Sequence, residues 1–509
     1  MSQAGVFKLV LRDDRFDNYF TASDYLRKRL ENIRQANAAA GYKNPQPTYR
    51  QLEKTHVLHL RAAYRPYVAV ASEYIRVNPS GGSSNLSLSG GTVQFTFPIY
   101  GHFTSDMVFH VRFKDLGTER PVIGETPQAS PRYRYCAYPG IRLFQKVSFR
   151  SDEVLIDDYT DDEVLFENKF QIGSDRRQAW DRGMGQADLR TAEFYNNNGY
   201  TGVMTYREGL QTPKYFHPSQ DLWVPLQFWM CGDASNALLN DLIPQTQRVI
   251  TAELAPLQRI VQAIDQNSGE IVPLPIDRLG IQIDLYVNNI FVNPEIHDIF
   301  ATRVGLSLIR VHRRQRKVLN MPEASVLLDQ LKYPAEYLYL GFRDRKNVED
   351  FDHWPLFGRA RARTDATTLV APAVIYNANF DTCELVCRPA KESSTLDPIA
   401  QDFRITAHGI DLYPAIPASF FNTYLPQRYF AGTTVVSPQD ASAYLATFCL
   451  YPGQSHPSGY YNLSAGRELY LHYRAKGVTE KQTADLIVAM SALNFLVRKG
   501  DKVALRYAL

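Results

Sequence analysis

The chain has 509 residues, 45% of them hydrophobic, and its 56 basic and 53 acidic side chains leave a net charge of +3. That length exceeds one small domain and suits two of roughly 200–250 residues. The near balance of charge gives no global field for nucleic acid or an anionic membrane.

Five cysteines (Cys136, Cys231, Cys383, Cys387 and Cys449) are too few and too odd in number for a secreted disulfide framework. They suit a reducing compartment. The opening MSQAGVFKLVLRDD lacks the apolar core of a signal peptide, Ser2 excludes N-myristoylation, and no run of about 18 apolar residues could span a bilayer. The expectation is a soluble protein made in the cytosol or nucleus. Aromatics at 12%, with 31 Tyr and 27 Phe, lean toward β structure, where flat rings fit a pleated, half-buried surface.

In chain order, Thr21 or Ser23 can cap a helix in which Leu26, Leu30 and Ile33 share a face, with Gly41 just past its end. Arg27, Lys28, Arg29 and Arg34 make its other side basic. Asn44-Pro45-Gln46-Pro47 then reads as a hinge, because two prolines cannot continue a helix. The N-terminal segment is either a packed cap or an arm that grips a partner. Strands are predicted over His56–Leu60 and Tyr67–Ser72, and where Val93, Phe95 and Phe97 alternate with polar neighbours. Pro79–Gly91, rich in Gly and Ser, is predicted as a loop without strand character.

Further strands fit Met107–Arg112, Leu143–Phe149, Leu222–Phe228, Val249–Leu254 and Ile281–Val287. Asp157–Asp162 (DDYTDD) is expected to be a solvated acidic turn, and Gly173–Gly199 a long polar surface excursion. A joint follows. Asn293 is placed as an N-cap, Pro294 at the first helical position and Glu295 in the first turn, where the dipole favours an anion. Ile296, Ile299, Phe300 and Val304 give the helix one apolar face, and Gly305 is placed to end it. Leu306–Val311 opens a second β region. Its strands are predicted over Glu336–Phe342, Leu369–Tyr376, Thr382–Arg388, Phe403–Leu412, Ala443–Leu450, Leu469–Tyr473, Leu486–Leu496 and Val503–Tyr507, with Lys499-Gly500-Asp501 as a turn. Roughly eight short strands per half, long loops and no fixed repeat fit two jelly-roll sandwiches better than a propeller or solenoid.

No phosphate loop, dinucleotide fingerprint or nucleophile elbow is present. His56 and His59 would point to opposite strand faces, and Cys383 and Cys387 lack the second pair a zinc site needs. Paired carboxylates at Asp157/Asp158 and Asp161/Asp162 read as solvated. No catalytic residue, metal or cofactor is expected, although glycosidase carboxylates can come from any strands. The basic run His312–Lys317 and the alternating Arg359, Arg361 and Arg363 could meet nucleic acid or acidic lipid. Balanced surroundings and the lack of a stacking platform favour pairing with acids of this chain or a neighbouring subunit. Asn85 and Asn462 match the glycosylation pattern but read as ordinary polar positions.

Several blocks resemble the major capsid proteins of nucleocytoplasmic large DNA viruses, most of all the African swine fever virus-type branch. They are THVLHLRAAYRPYVAVASEY (55–74), RYCAYPGIRLF (134–144), TPKYFHPSQDLWVPLQFW (212–229), LYVNNIFVNPEIHDIF with SLIRVH (285–312), KYPAEYLYLG (332–341), ITAHGIDL (405–412) and TADLIVAMSALNFL (483–496). Pro457, Ser458, Gly459, Asn462 and Ser464 are similar to the family's PSG-x-x-N-x-S signature. The resemblance implies an all-β double jelly roll with a short N-terminal helical segment. It divides the chain into a helical base segment (1–48), a first roll (49–293), a connecting helix (294–305) and a second roll (306–509).

It further implies homotrimeric, pseudo-hexagonal capsomers that tile the icosahedral shell of a virion assembled in the host cytoplasm, above an inner membrane. Minor capsid and penton proteins and a folding chaperone would be partners, with no direct nucleic acid. Leu26, Leu30 and Ile33 would then face the layer beneath. Where the swine fever-type protein carries a large insertion, this chain has only about Phe170–Gly209, so a smaller outer protrusion is expected. A same-fold transient scaffold of an immature virion is the alternative, and a carbohydrate-binding or glycoside-cleaving sandwich a more distant one.

Overall fold

In the computed structural model, residues 23–48, 50–51, 70–82, 85–117, 131–186, 189–196, 199–207, 209–243, 248–265, 270–303, 305–362, 372–377, 382–387, 394–429, 435–438, 440–463, 468–499 and 502–507 are described. The predicted strand His56–Leu60, with His56 and His59, and Ser464, Gly500 and Asp501 lie outside them.

The walls of the first half are β1 (Val70–Val77), β2 (Gly91–Thr96), β3 (Phe103–Phe113), β4 (Phe144–Ser151), β5 (Val154–Thr160), β6 (Gln220–Pro225), β7 (Arg248–Leu254) and β8 (Arg278–Val292). They form two sheets in the orders β1-β8-β3-β6 and β2-β7-β4-β5. The second half has β9 (Leu306–Leu319), β10 (Glu323–Leu327), β11 (Pro334–Asp344), β12 (Ala400–Ala407), β13 (Ile410–Pro417), β14 (Ala443–Thr447), β15 (Leu469–Ala475) and β16 (Ala484–Lys499). Their orders are β9-β16-β11-β14 and β10-β15-β12-β13.

Both halves obey one rule. First pairs with eighth, second with seventh, third with sixth and fourth with fifth, always antiparallel. This is a long hairpin folded over on itself, the jelly roll, so the chain is a double jelly roll. Period-2 patterning supplies each core: Phe95, Phe109, Val111, Phe149, Ile250 and Leu285 point inward in the first roll, and Leu338, Leu340, Phe342, Phe403, Leu471 and Val488 in the second.

Several expectations are corrected or refined. The Pro79–Gly91 loop carries two short strands, Gly81–Gly82 and Asn85–Ser87, which add to β2 and β8. The single strand expected over Phe403–Leu412 is two, because His408 and Gly409 take the left-handed φ values of 54° and 73° that turn the chain. The polar span after Phe170 holds a helix, Ser174–Gly183, and a hairpin, Leu189–Asn196 with Gly199–Arg207. Asp157–Asp162 is not a solvated turn: β5 ends at Thr160 and a helix runs over Asp161–Phe170.

At the N-terminus a helix covers Ser23–Ala39, with Leu30 and Ile33 half-buried. Asn37 reaches back to the Pro45 and Gln46 carbonyls and to Gln51, tying the proline hinge to the helix. The connecting helix spans Pro294–Arg303, and the His297 amide donates to the Asn293 carbonyl at 3.0 Å. Gly305 does not end it as expected: its φ is not left-handed, and a Cβ there would meet nothing within 4 Å.

Candidate functional site at the seam between the rolls

The helix Asp161–Phe170 is the element that joins the halves. Thr160 and Glu163 form a reciprocal capping box, and Asp161, Asp162 and Glu163 fill the first turn, where the helix dipole favours negative charge. The acids therefore start a helix rather than a loop. Its apolar residues Phe166 and Phe170, four apart on one face, leave the first roll and lie on the outer face of the β9-β16-β11-β14 sheet. Phe166 stacks on Tyr339 at 5.4 Å and on Phe357 at 4.9 Å, and Phe170 on Tyr339 at 4.9 Å.

That contact explains β11, which is buried at every position. Leu338, Leu340 and Phe342 face the roll interior, while Tyr337, Tyr339, Gly341 and Arg343 face the visiting helix. A strand covered on both sides reads as a continuous apolar run. Gly341 is required here, since a Cβ would lie 2.5 Å from the Phe357 ring.

Beside the aromatic contact runs an ionic one. The basic run His312–Lys317, read from sequence as lying just beyond a short strand, continues β9 to Leu319. Ile309, Val311 and Gln315 point into the roll, and the alternate residues Arg310, His312, Arg314 and Arg316 point outward. His312 donates its backbone amide (2.9 Å) and Nδ1–H (2.8 Å) to Asp157, whose side chain is fully buried. Arg314 meets Asp158 at 2.6 Å and Glu163 at 3.5 Å, and Lys146 adds a 3.4 Å contact to Asp158. Arg343 pairs with Asp162. Within the second roll, Arg310 forks onto buried Glu336 at 2.6 and 3.2 Å, and Arg316 reaches buried Asp485 at 2.5 Å.

The electrostatics follow from burial and pairing. Burial disfavours a charged His312, but Asp157, Glu167 and Glu163 override it and raise its pKa to about 9, so it is an imidazolium at neutral pH. Burial pushes Asp158 up, but Arg314 and Lys146 outweigh it and hold the carboxylate below its usual range. For Glu167 burial outweighs the pull of His312 and lifts the carboxyl to about 7. Burial, with Asp162 alongside, also raises Asp161.

A second clasp sits at one end of the seam. Trp354 donates Nε1–H to the Ala137 carbonyl at 2.6 Å, and the Ala137 amide donates to Phe351 at 2.8 Å. Arg142, buried, donates to the Val348 carbonyl at 2.8 Å, with its guanidinium 5.3 Å from the Phe351 ring and 5.1 Å from Trp354. Lys169 reaches from the helix to Asp440 at 2.8 Å. A wall this densely paired fixes one roll against the other. It presents no open acidic cleft, and among the described residues no three His, Cys, Asp or Glu converge to hold a metal.

The residues singled out from sequence fall in three separate places. Asn293, Pro294, Glu295 and Gly305 lie at the connecting helix, where Ile299 and Phe300 remain largely exposed although Phe300 meets Phe103 edge-on at 5.4 Å. Leu30 and Ile33 lie on the N-terminal helix; the Leu26 side chain lies outside the described ones. Pro457, Ser458 and Gly459 lie in the loop after β14, where the Ser458 hydroxyl accepts the Tyr451 amide at 2.8 Å and Gly459 takes a φ of 136°. Asn462 pairs with Pro334 beside β11. Of the basic residues, Arg359 pairs with Asp344 at 2.9 Å; the side chains of Arg361, Cys383 and Cys387, and all of Arg363, lie outside the described ones. The seam acids were missed. The Thr160-x-x-Glu163 box ahead of Val164-Leu165-Phe166 was the local signal that could have found their helix.

Two jelly rolls of identical strand order in one chain, the second walled by a helix of the first, define a double jelly-roll protein. No protein-family model matches the chain. It is similar over its whole length to the hexon protein p72 of African swine fever virus, strain Badajoz 1971 Vero-adapted: 28% identical, with all of both chains covered. The p72 of the Tick/Malawi isolate is 27% identical, again with all of both chains covered. Among solved structures, the Faustovirus major capsid protein superposes with a TM-score of 0.69 at 26% identity, covering 96% of this chain and all of that one. The PBCV-1 capsid shares the fold, with a TM-score of 0.61 at 18% identity, covering 89% of this chain and all of that one. By this full-length likeness the chain functions as a major capsid protein, and its place is the virion shell.

Proposed function

We propose that this major capsid protein works as a homotrimer whose six rolls make a pseudo-hexagonal capsomer, and that these capsomers tile an icosahedral shell. The observation that carries the reading is the repetition of one strand order in both halves, joined by a fixed seam. Three chains then offer six near-equivalent walls, which a closed ring requires. The role needs no catalytic residue. The segments 1–48, 49–293, 294–305 and 306–509 serve as base, first roll, link and second roll. Leu26, Leu30 and Ile33 face the layer beneath the shell, and the Pro457–Ser464 signature shapes the loop beside β11. Minor capsid and penton proteins, and a chaperone for a slow, non-local β topology, are the partners this role calls for.

Purified protein should run as a trimer by size exclusion with light scattering and show hexagonal outlines in negative stain. A stable monomer at micromolar concentration would overturn the trimer. Deleting residues 1–41 should leave trimers intact while weakening attachment to the inner layer; collapse of the trimers would make the segment a structural cap instead.

A further inference from the structure

The joint between the rolls carries a pair of histidines that the shell role leaves unexplained. His102 lies just before β3, and His297 in the connecting helix. Their rings stack at 4.3 Å, and both residues are half-buried. The backbone under His102 is held from two sides. Its amide donates to the Ile290 carbonyl at 2.9 Å, and its carbonyl accepts the Asn240 amide at 2.9 Å. A Cβ on Gly101 would lie 2.9 Å from the Ile290 oxygen, so this stretch sits directly on β8.

The ring makes a bond that depends on its charge. Its Nδ1 accepts the backbone amide of Val292, the last residue of β8, at 3.0 Å. An imidazole nitrogen that accepts carries no proton, so this bond exists only while His102 is neutral. On protonation two N–H groups would face each other, and the amide of buried Val292 would lose its partner. Charge adds a second cost. An imidazolium at His102 would lie against the His297 ring, whose Nε2 stands 2.8 Å from Asp241.

Among the described residues, the charged groups packed around the pair are Asp241, Asp298, Arg248 and Arg498. Asp298 lies 4.0 Å from His297 Nδ1. Arg498, from β16, donates to the Asp241 carbonyl at 3.1 Å. Buried Arg248 donates to the Asn240 side chain at 2.6 Å. Burial, with His297 alongside, outweighs the pull of Asp241 and holds the His102 pKa below its usual value.

We propose that His102 is an acid-sensitive latch: while neutral it holds the end of β8 and the connecting helix on the first roll, and its protonation frees them. A histidine with a lowered folded pKa stabilises fully above its unfolded value of about 6.5. That contribution is lost as the pH falls through 6.5 toward the folded value. The seam responds in the opposite sense. Asp158 is held below its usual range there, and Glu167, raised by burial, is uncharged in mild acid. Acid therefore loosens the joint while the seam keeps the two rolls together.

The test is hydrogen exchange by mass spectrometry on the full chain between about pH 8 and about pH 5, with times scaled for the intrinsic rate. Peptides covering 290–303 should exchange about tenfold faster at the acid end, and those covering 161–170 should not. His102→Gln keeps an acceptor for the Val292 amide but takes no proton, so its 290–303 peptides should stay protected throughout. His297→Gln removes the facing charge and should shrink the acid response. The wild-type comparison and His297→Gln decide the matter even where His102→Gln fails to fold. Equal exchange of 290–303 at both ends, or an acid response undiminished in either variant, would overturn the latch. Acid loss of protection at 161–170 as well would show general unfolding and overturn it too.

Discussion

The outer walls of the two rolls are the same part of the same topology, yet one is interior and the other surface. On β11 every residue is buried, and Tyr339 is stacked between Phe166 and Phe170. On β3 and β6 the corresponding wall carries Trp223, Arg112 and Asp221 in solvent. Identical strand order therefore does not give identical energetics. The difference lies in the helix Asp161–Phe170, which brings two aromatic rings and four acids to one wall. Charge follows the same divide. Asp157 with His312 is a desolvated pair whose loss leaves a buried charge, whereas Arg112 with Asp221 is screened by water.

The largest expected effect is at the sealed wall. Phe166→Ala should cost about 3–5 kcal/mol in denaturant unfolding, because it opens a cavity between Tyr339 and Phe357. A loss below about 1 kcal/mol would mean the helix is not packed. Asp157→Ala should cost on the order of 3 kcal/mol, leaving the His312 imidazolium desolvated without its acceptor. A double-mutant cycle with His312→Gln should recover part of that loss; strictly additive losses would show that the two do not interact.

Raising the pH probes the same wall without mutation. A histidine whose folded pKa lies near 9, above the unfolded value of about 6.5, stabilises fully below the lower value, and that stabilisation is lost as pH rises through the upper one. The ceiling is roughly 3 kcal/mol. Glu167, raised by burial to about 7, acts in the same sense but earlier, losing stability as pH rises from about 4.5. The melting temperature should therefore fall between pH 7 and 9, and His312→Gln should flatten that limb. An unchanged slope in the variant would exclude His312 as the titrating group.

Gly341→Ala should cost about 1–3 kcal/mol by pushing against the Phe357 ring. At the open wall Arg112→Ala should change the stability of the isolated subunit by no more than about 0.5 kcal/mol. Gly305→Val should be equally mild, since its backbone is not left-handed and the space around it is free. A large effect at either site would show that the open wall or the connecting helix is as tightly packed as the seam.

Much of this was legible in the chain itself. Alternation in Ile281–Val287 and Leu486–Leu496 located β8 and β16 because burying one face of a strand imposes a period of two whatever the partner. Asn293-Pro294-Glu295 marked the start of the connecting helix through local hydrogen bonding and a fixed φ. Blocks such as KYPAEYLYLG carried the family resemblance, and the count of about eight strands per half set the class.

The fate of the charges was not legible. DDYTDD and HRRQRK each read as solvated or paired by default, since a charge is placed by whatever faces it and Asp157 and His312 stand 155 positions apart. Only folding brings them together, and only the low dielectric of the seam makes the pair matter. By itself the sequence determined strands and joint, because those depend on periodicity and near neighbours, and its motif blocks carried the family resemblance. The tertiary structure decided that DDYTDD starts the sealing helix, that His312 and Arg314 of HRRQRK face the seam from the outer side of their wall, and that the equivalent wall of the first roll carries Trp223 in solvent, because burial depends on a partner surface that no local pattern encodes.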